Sequence, residues 1–316
     1  MNNYTHELID VLGNAIIEDD SDYGACYADY ASESIARITV NNIKGDARYA
    51  VNITYNDYET GRPCRTAHHI YLTDLIRFYD NPYVNATASK RFRDSRELIM
   101  DFMKSFLYNN VFCTKHTGKM TGINSCSTSA ACNARCKARA EKAKDGCICK
   151  ECFALQQMSY QKSTNLKYAR NTELLTSIKL YWYMIPLADS NDVFRFESFG
   201  DLNNEQQFAN YCTIAETRRH ITHTLWTKNP DIIESACKHG AHIPDNMIII
   251  YSSPWVNHVS KGIEARYPFI EKVFTVWTSE EEASKAGYSI NCAKRSCNTC
   301  RRCYTHGIDR IHELLK

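Results

Sequence analysis

Two groups of cysteines in this 316-residue chain have the spacing of metal ligands. The first spans residues 126–152 and ends in Cys149-Lys150-Glu151-Cys152, and the second, near the C-terminal end, has the pattern C-x4-C-x2-C-x2-C. Two intervening residues let both thiolates reach one ion or cluster from a single turn, and thiolates select zinc or iron–sulfur. The predicted metal ligands are Cys132, Cys136, Cys149, Cys152, Cys292, Cys297, Cys300 and Cys303.

Disulfides and inert buried thiols are the alternatives for the same cysteines. The segment Met1–Glu7 lacks the basic start and apolar stretch of a secretory signal, so we expect a cytoplasmic protein with reduced thiols. The last group is of the closed four-cysteine kind. In the first group, Cys126 and Cys147 compete with Cys132 and Cys136 for a place beside Cys149 and Cys152. A three-cysteine cluster would leave one iron open, as catalytic clusters do, whereas a four-cysteine site is structural or transfers electrons.

The composition is that of an ordinary globular protein, with 44% hydrophobic and 23% charged residues. The formal net charge of +2 gives no overall basic field for nucleic acid, which leaves a local basic patch as the route to such a partner. Bases beside the last cysteine group would either offset thiolate charge or contact phosphate: Lys294, Arg295, Arg301 and Arg302. No apolar run approaches the ~20 residues of a membrane-spanning helix, so we expect no membrane partner.

The first 110 residues are predicted to form an α+β accessory domain. Two strand-like stretches, Ser34–Ile43 and Ala47–Tyr55, flank the turn residues Lys44-Gly45-Asp46. Apolar residues recur at helical spacing over Ser95–Tyr108. The cysteines of this region, Cys26, Cys64 and Cys113, lack ligand spacing.

Residues 111–316 are predicted to form an α/β domain, a partial or complete (β/α) barrel, with an open parallel sheet as the alternative arrangement. A loop over Thr117–Ser129 and a long helix over Phe153–Tyr183 come first. Strands then alternate with helices, which favours parallel βαβ units. The predicted strands are Asp192–Ser198, His223–Thr227, Asn246–Ser252 and Lys272–Trp277, and the helices between them are Asn204–Thr217 and Pro230–Lys238.

Polar residues follow the predicted strands. Because the carboxyl ends of parallel strands lie at one edge of a sheet or barrel, we expect these residues to form one functional mouth. The predicted catalytic residues are Arg195, Glu197, Asp201 and Lys228, and the predicted cofactor-binding residues are Ser198, Gly200, Thr227, Ser252 and Ser253. Helix capping is the competing interpretation for Asp201, Asn229 and Ser253, which are all good N-cap types.

The order of these motifs resembles the phage "gene product 88" family. The resemblance rests on Cys149–Ala154, Asn171, Phe194–Asp201, Trp226–Pro230, Tyr251–Pro254 and the cysteine-rich tail from Asn291 to Tyr304. It implies a phage origin and a cysteine-ligated metal, but no activity. More distantly, Cys149-x2-Cys152 resembles half of the C-x3-C-x2-C motif of radical S-adenosylmethionine enzymes, although twelve residues separate Cys136 from Cys149. That resemblance implies a three-cysteine iron–sulfur cluster whose open iron holds S-adenosylmethionine.

The leading hypothesis is a divergent iron–sulfur enzyme of radical S-adenosylmethionine type, acting on a nucleotide, nucleic acid or peptide in the host cytoplasm. The alternative is a non-enzymatic protein in which zinc or iron–sulfur is structural and the basic C-terminal segment binds nucleic acid or a protein.

Overall fold

The computed structural model describes residues 35–42, 49–56, 63–70, 104, 107–112, 116, 118–187, 191–292 and 295–315. The chain divides into two compact units, Met1–Phe106 and Leu107–Lys316. The predicted helix over Ser95–Tyr108 lies outside the described residues except at its last positions, where Leu107–Phe112 forms a π-helical turn.

The described part of the N-terminal unit is an antiparallel sheet of the strands β1 (Ile35–Asn42), β2 (Tyr49–Asn56) and β3 (Pro63–Ile70). Strand β2 pairs with both neighbours, and Val51 lies opposite Val40 on one side and His68 on the other. Strands β1 and β2 correspond to the two predicted stretches. Strand β3 was not predicted, because Cys64-Arg65-Thr66-Ala67-His68-His69 has no apolar alternation.

Within the described residues of the C-terminal unit, six parallel strands form one sheet in the order of the chain. They are β4 (Asn124–Cys126), β5 (Val193–Phe196), β6 (Thr222–Thr227), β7 (Met247–Ser252), β8 (Ile270–Trp277) and β9 (Asp309–Leu314). Each strand pairs with the one before it in sequence, and β4 and β9 form the two edges in this part of the chain. The class is therefore α/β, as predicted.

Helices connect these strands. They are α1 (Ala134–Glu141), α2 (Phe153–Tyr160), α3 (Lys162–Ser177), α4 (Glu205–Thr217), α5 (Pro230–Lys238), α6 (Ile263–Arg266), α7 (Glu280–Lys285) and α8 (Cys297–Cys300). The caps agree with the sequence: Asn204 accepts from the Gln207 amide, and Pro230 occupies the first turn of α5. In the described residues, no helix has the length and apolar character needed to span a bilayer.

The two faces of the sheet pack against different groups of side chains. On the outer face, the ring of Phe196 stacks on Tyr211 of α4 at 4.1 Å between centroids, and His223 packs against Phe194 and Phe196. On the inner face, a buried apolar cluster joins the middle and last strands: Ile248, Ile250, Phe274, Val276 and Ile311. Along each strand, side chains therefore alternate between the face that packs on the helices and the inner face.

Three local predictions differ from the structure. The long helix over Phe153–Tyr183 is two helices, because the backbone at Gln161 leaves the helical region at φ −94° and ψ 73°. Strand β4 lies in the predicted loop, since three residues of Asn-Ser-Cys carry no apolar signal. Strand β9 was missed because Arg310 and Glu313 interrupt its apolar residues.

Candidate functional site

A cavity of about 420 Å³ lies at the carboxyl edge of the parallel sheet. Its wall is assembled from the segment after β4, from the ends of β5 to β9 and from the residues that follow β5 and β6. The residues that line it include Cys136, Arg139, Cys149, Cys152, Phe153, Arg195, Glu197, Ser198, Phe199, Gly200, Asp201, Trp226, Thr227, Lys228, Ser252, Phe274 and Val276. The volume is within the ~300–1,000 Å³ range of small-molecule sites.

Three cysteines of the first group line this cavity: Cys136, Cys149 and Cys152. Cys136 is on α1, whose N-cap Asn133 is buried, accepts from the Arg135 and Cys136 amides, and donates to the carbonyl oxygen of Asp201 at 3.0 Å. Asn133 therefore fixes the helix that carries Cys136 to the loop after β5.

Cys149 lies in a 3-10 turn, Ile148–Glu151, that is docked on the loop after β7. The Ile148 amide donates to the Pro254 carbonyl at 2.8 Å, and Cys147 forms a β-bridge with Trp255. Burial raises the pKa of the Cys149 thiol to about 11, against the opposing charges of Lys228 and Arg139. Burial also raises the pKa of Cys136, where the same two cations oppose it.

Asp201 joins the loop after β5 to the turn after β6. Its Oδ1 accepts from the Thr227 hydroxyl at 2.6 Å and the Leu202 amide at 2.8 Å, and its carboxylate also accepts from the Lys228 amide. An Arg139 nitrogen lies 3.7 Å from Oδ2, and the other terminal nitrogen of Arg139 donates to Asn229 at 2.6 Å. Asp201 therefore positions the backbone that presents Lys228.

Among the cations that act on Cys136 and Cys149, Lys228 has the largest effect on their pKa values. Its ammonium donates to the Ser252 hydroxyl at 3.1 Å, and in the described residues it has no carboxylate partner. The charge of Lys228 lowers the pKa of both Cys136 and Cys149. An ammonium placed in this way stabilises thiolates or an anionic ligand beside them.

Arg195 projects from β5 onto the inner face of the sheet. Its guanidinium lies 4.2 Å from the centre of the Trp226 ring, and one terminal nitrogen is 3.3 Å from the sulfur of Met120. The Arg195 Nε and the Trp226 Nε1 are enclosed and have no hydrogen-bond partner among the described residues. Burial raises the pKa of Cys297 and Cys303, and the charge of Arg195 opposes this rise, so Arg195 acts on the second cysteine group as well as lining the first cavity.

Glu197 is buried, and its carboxylate turns away from Arg195. Regular strand alternation would put the side chains of residues 195 and 197 on one face, but Glu197 has a left-handed backbone, φ 57°, which ends the alternation. Its carboxylate accepts from the Thr128 amide and hydroxyl, from Gln207 at 2.6 Å and from the Tyr211 hydroxyl. Burial raises the pKa of Glu197 to about 7, although these hydrogen bonds favour the ionised form. Glu197 thus ties α4 to the segment after β4.

Gly200 and Ser198 complete this part of the wall. A Cβ at Gly200 would lie 2.5 Å from the Thr128 hydroxyl and 2.6 Å from the Thr128 carbonyl oxygen, and would also meet a Glu197 carboxylate oxygen. Glycine is therefore required here by close packing. Ser198 hydrogen-bonds to Ser127 at 2.7 Å and to Ser125 at 3.3 Å.

Two predicted residues lie outside this cavity. Ser253 is buried, and its hydroxyl bonds to the Trp255 and His258 carbonyls, so it shapes the loop after β7. Cys132 is exposed, and it does not line the cavity.

The second cysteine group lines a separate cavity of about 440 Å³ with Cys292, Cys297, Cys300 and Cys303 in its wall. Two of these cysteines are held by the helix α8, whose N-cap Ser296 accepts from the Thr299 amide, and the chain then turns at Arg301 with φ 57°. Burial raises the pKa of Cys303 to about 12, against the charge of Arg195, and the charges of Cys292, Cys297 and Cys300 add to the rise. The four thiols are therefore electrostatic neighbours.

Of the bases expected near these thiols, two are engaged in ion pairs. Arg301 pairs with Asp192 at 2.7 Å, and Arg302 pairs with Asp309 at 3.0 Å. Arg295 lines the cavity, whereas Lys294 is outside the described residues. An unforeseen base contacts the group instead: the Lys119 ammonium lies 3.7 Å from the Cys292 sulfur and 2.7 Å from Glu313.

The described cysteines from Cys126 to Cys303 are all free thiols. In the same part of the chain, no three His, Cys, Asp or Glu side chains are arranged to hold a metal ion.

Arg139 and Trp226 are cavity residues whose roles the sequence did not reveal. Arg139 could have been predicted, because Cys136 and Arg139 are three residues apart on a helix and therefore share a face. Trp226 has an equally simple signal, since it lies near the end of β6 two residues before Lys228, where strand alternation continued to Lys228 would put both side chains on one side.

These features define an α/β protein whose parallel sheet carries a cysteine-lined cavity at its carboxyl edge. Over residues 85–313 the chain matches the family described as gene product 88, and it belongs to this family of phage proteins. The match includes both cysteine groups. No curated protein and no solved structure matches the chain significantly. The comparisons add no support for the more distant resemblance to radical S-adenosylmethionine enzymes.

Proposed function

We propose that this protein is an iron–sulfur enzyme whose active site is the cavity at the carboxyl edge of the sheet. The observation that carries the proposal is the presence of Cys136, Cys149 and Cys152 in the wall of that cavity. All three come from the single segment between β4 and β5, and polar residues from three further strand ends face them. In this proposal the sequential parallel sheet curls into a partial barrel around the site.

The donor set suits an iron–sulfur cluster. The three cysteines are free thiols, the charge of Cys152 acts on both Cys136 and Cys149, and Lys228 and Arg139 would offset the charge of thiolates. Since no three donors of the described residues are arranged around a metal ion here, the proposal requires the segment between β4 and β5 to draw these thiols together when the cluster binds. A cluster with three thiolate ligands and one open iron supplies one-electron reduction of a bound sulfonium such as S-adenosylmethionine. Cys292, Cys297, Cys300 and Cys303 would hold a second, closed centre.

The chain's own residues would orient the ligands and keep out water. Asp201 fixes the turn that presents Lys228, and Ser252 accepts from the Lys228 ammonium, so this charge is held at the cavity wall. Trp226, Phe274 and Val276 form an apolar inner wall that limits water near a reactive intermediate. Glu197, enclosed among its donors, would hold the wall in place and would not itself touch the reacting atoms.

The test is metal and sulfide analysis of full-length protein purified anaerobically from a cytoplasmic preparation. We expect brown protein that contains iron and acid-labile sulfide, and a paramagnetic resonance signal of the reduced protein that changes when S-adenosylmethionine is added. Cys149→Ala should abolish that response and keep the signal of the second centre. The matched control is Cys237→Ala on α5, which should change neither signal, since Cys237 lines neither cavity.

Two other outcomes would each contradict a part of the proposal. Colourless protein with about two zinc ions per chain would favour two closed structural sites and a non-enzymatic binding protein. An iron–sulfur signal that S-adenosylmethionine leaves unchanged would reject the radical type and leave an electron-transfer or structural cluster.

A further inference from the structure

The rim of the active-site cavity carries an exposed aromatic ring. Phe153 begins α2 directly after Cys152, lines the cavity and is 63% exposed. Its ring stacks on Phe199 at 5.7 Å between centroids, and Phe199 continues to Tyr168 at 5.3 Å. One face of a supported aromatic stack is therefore exposed at the cavity, although burial of a phenylalanine ring is normally favourable.

A basic segment precedes this ring in the chain and contributes Cys136, Arg139, Cys149 and Glu151 to the same cavity. Between Ala134 and Glu151 there are six Lys or Arg residues and three Asp or Glu residues, so the segment has a formal charge of 6 − 3 = +3, more than the +2 of the whole chain. Helix α1, which contributes Cys136 and Arg139 to the cavity, buries none of its residues fully. Three lysines of the segment are exposed and have no ion-pair partner among the described residues: Lys137, Lys142 and Lys144.

We infer that this rim, defined as Phe153 with Lys137, Lys142 and Lys144, binds single-stranded nucleic acid and leads one nucleotide into the cavity. The inference rests on the proposed function, since it names the substrate class of the same site. Base stacking on an exposed aromatic ring contributes about 1–3 kcal/mol per base, and lysines along the same path neutralise phosphates. An acidic peptide would use the lysines but would gain little from a stacked flat ring.

The cavity interior fits the same class of ligand. Lys228 and Arg195 line the cavity without carboxylate partners in the described residues, whereas Asp201 and Glu313 of the same wall pair with Arg139 and Lys119 and Glu151 is exposed. Two cations are therefore available to an anionic group, with Glu151 as the opposing exposed acid. The cavity volume of about 420 Å³ is that of one small-molecule site, which is too small for a folded duplex.

The test is binding of a fluorescently labelled single-stranded oligonucleotide of about 15 nucleotides, within the site sizes of such proteins, measured by anisotropy with full-length protein. Phe153→Ala should weaken binding by about 5-fold to 150-fold, the loss of one stacked base. Phe153→Trp should bind at least as tightly as the native chain. The matched control is Tyr160→Ala on the same helix, because Tyr160 is 67% exposed but does not line the cavity.

Salt dependence tests the lysines separately. Lys142→Glu should reduce the slope of log affinity against log salt by about 0.7 or more, the contribution of one phosphate contact on a single strand. Arg219→Glu is the control, since Arg219 is an exposed base in the loop before β6, at the amino edge of the sheet.

Three results would overturn the inference: no oligonucleotide binding by the native chain, equal binding by Phe153→Ala, or equally effective competition by a polyglutamate peptide. These outcomes are separable from failure of the proposed function, because iron, sulfide and paramagnetic resonance are measured on the same samples. Intact cluster signals without oligonucleotide binding would reject the rim alone. Oligonucleotide binding that depends on Phe153 in protein without iron would support the rim and reject the enzyme.

Discussion

Glu197 makes the stability of the C-terminal unit depend on pH in a way that one substitution isolates. Burial raises the pKa of its carboxyl group from 4.5 to about 7. Because the folded state then holds a proton that the unfolded state has released, stability is highest below about pH 4.5 and falls as the pH rises toward 7. The full effect is about 3 kcal/mol, at 1.36 kcal/mol for each pKa unit. Integrating the difference in bound protons between the folded and unfolded states shows that about 2.5 kcal/mol of this stability is lost between about pH 5 and pH 8.

The perturbation is Glu197→Gln, which keeps the shape but does not titrate. The expected result is that the difference in unfolding free energy, native minus variant, falls by about 2.5 kcal/mol from about pH 5 to pH 8. The difference is needed because buried histidines titrate in the opposite sense. Burial lowers the pKa of His116 to about 4 and that of His223 to about 3, so they add stability as the pH rises.

Urea unfolding followed by tryptophan fluorescence is the suitable assay. The four tryptophans all lie beyond residue 180, so the signal reports on the C-terminal unit. Glu216→Gln is the control, since Glu216 is exposed on the same helix α4 that carries Gln207 and Tyr211. A native-minus-variant difference that stays flat across the range would refute the buried-carboxyl argument, as would an equal slope for the control.

Two further predictions follow from single contacts. His223→Phe should flatten the loss of stability below about pH 6.5, because the buried imidazole between Phe194 and Phe196 must otherwise take up a proton as the chain unfolds; urea titrations at acidic pH measure this. Gly200→Ala should lower the unfolding free energy by about 1–3 kcal/mol through overpacking against Thr128. Because Gly200 has no positive φ, the loss comes from packing alone, and a Gly200→Ala variant with the native unfolding free energy would contradict the packing argument.

The elements that the sequence predicts well are those with strong local signals. Helix α5 and strand β7 have their predicted bounds to within one residue, because a proline start and an unbroken apolar run mark them. Strands β4 and β9 escape prediction since their stability comes from neighbours: β4 pairs only through Asn124, Ser125 and Cys126 with β5. Tertiary pairing overrides weak local propensity at both edges of the sheet.

The candidate site shows the same division. The rule that parallel strand ends meet at one edge predicted a common mouth, and Arg195, Asp201, Lys228 and Ser252 do line one cavity. The direction of the Glu197 carboxylate was not predictable, because it depends on one left-handed residue and on four donors from two other segments. Sequence alternation describes a strand only up to the residue where its backbone changes.

The distribution of charge at the cavity explains why so few of its polar residues are free to act on a ligand. Glu197 is enclosed by its donors, and Asp201 is occupied by Thr227 and the Lys228 amide. Both acids that sequence analysis assigned to catalysis therefore make hydrogen bonds within the wall, and their catalytic role stays a prediction. Lys228 and Arg195 have no carboxylate partner in the described residues, and each lies near one cysteine group. Glu151 also lines the wall and is exposed, so an anion such as a nucleotide phosphate would be favoured at the end of the cavity that holds Lys228 and Arg195.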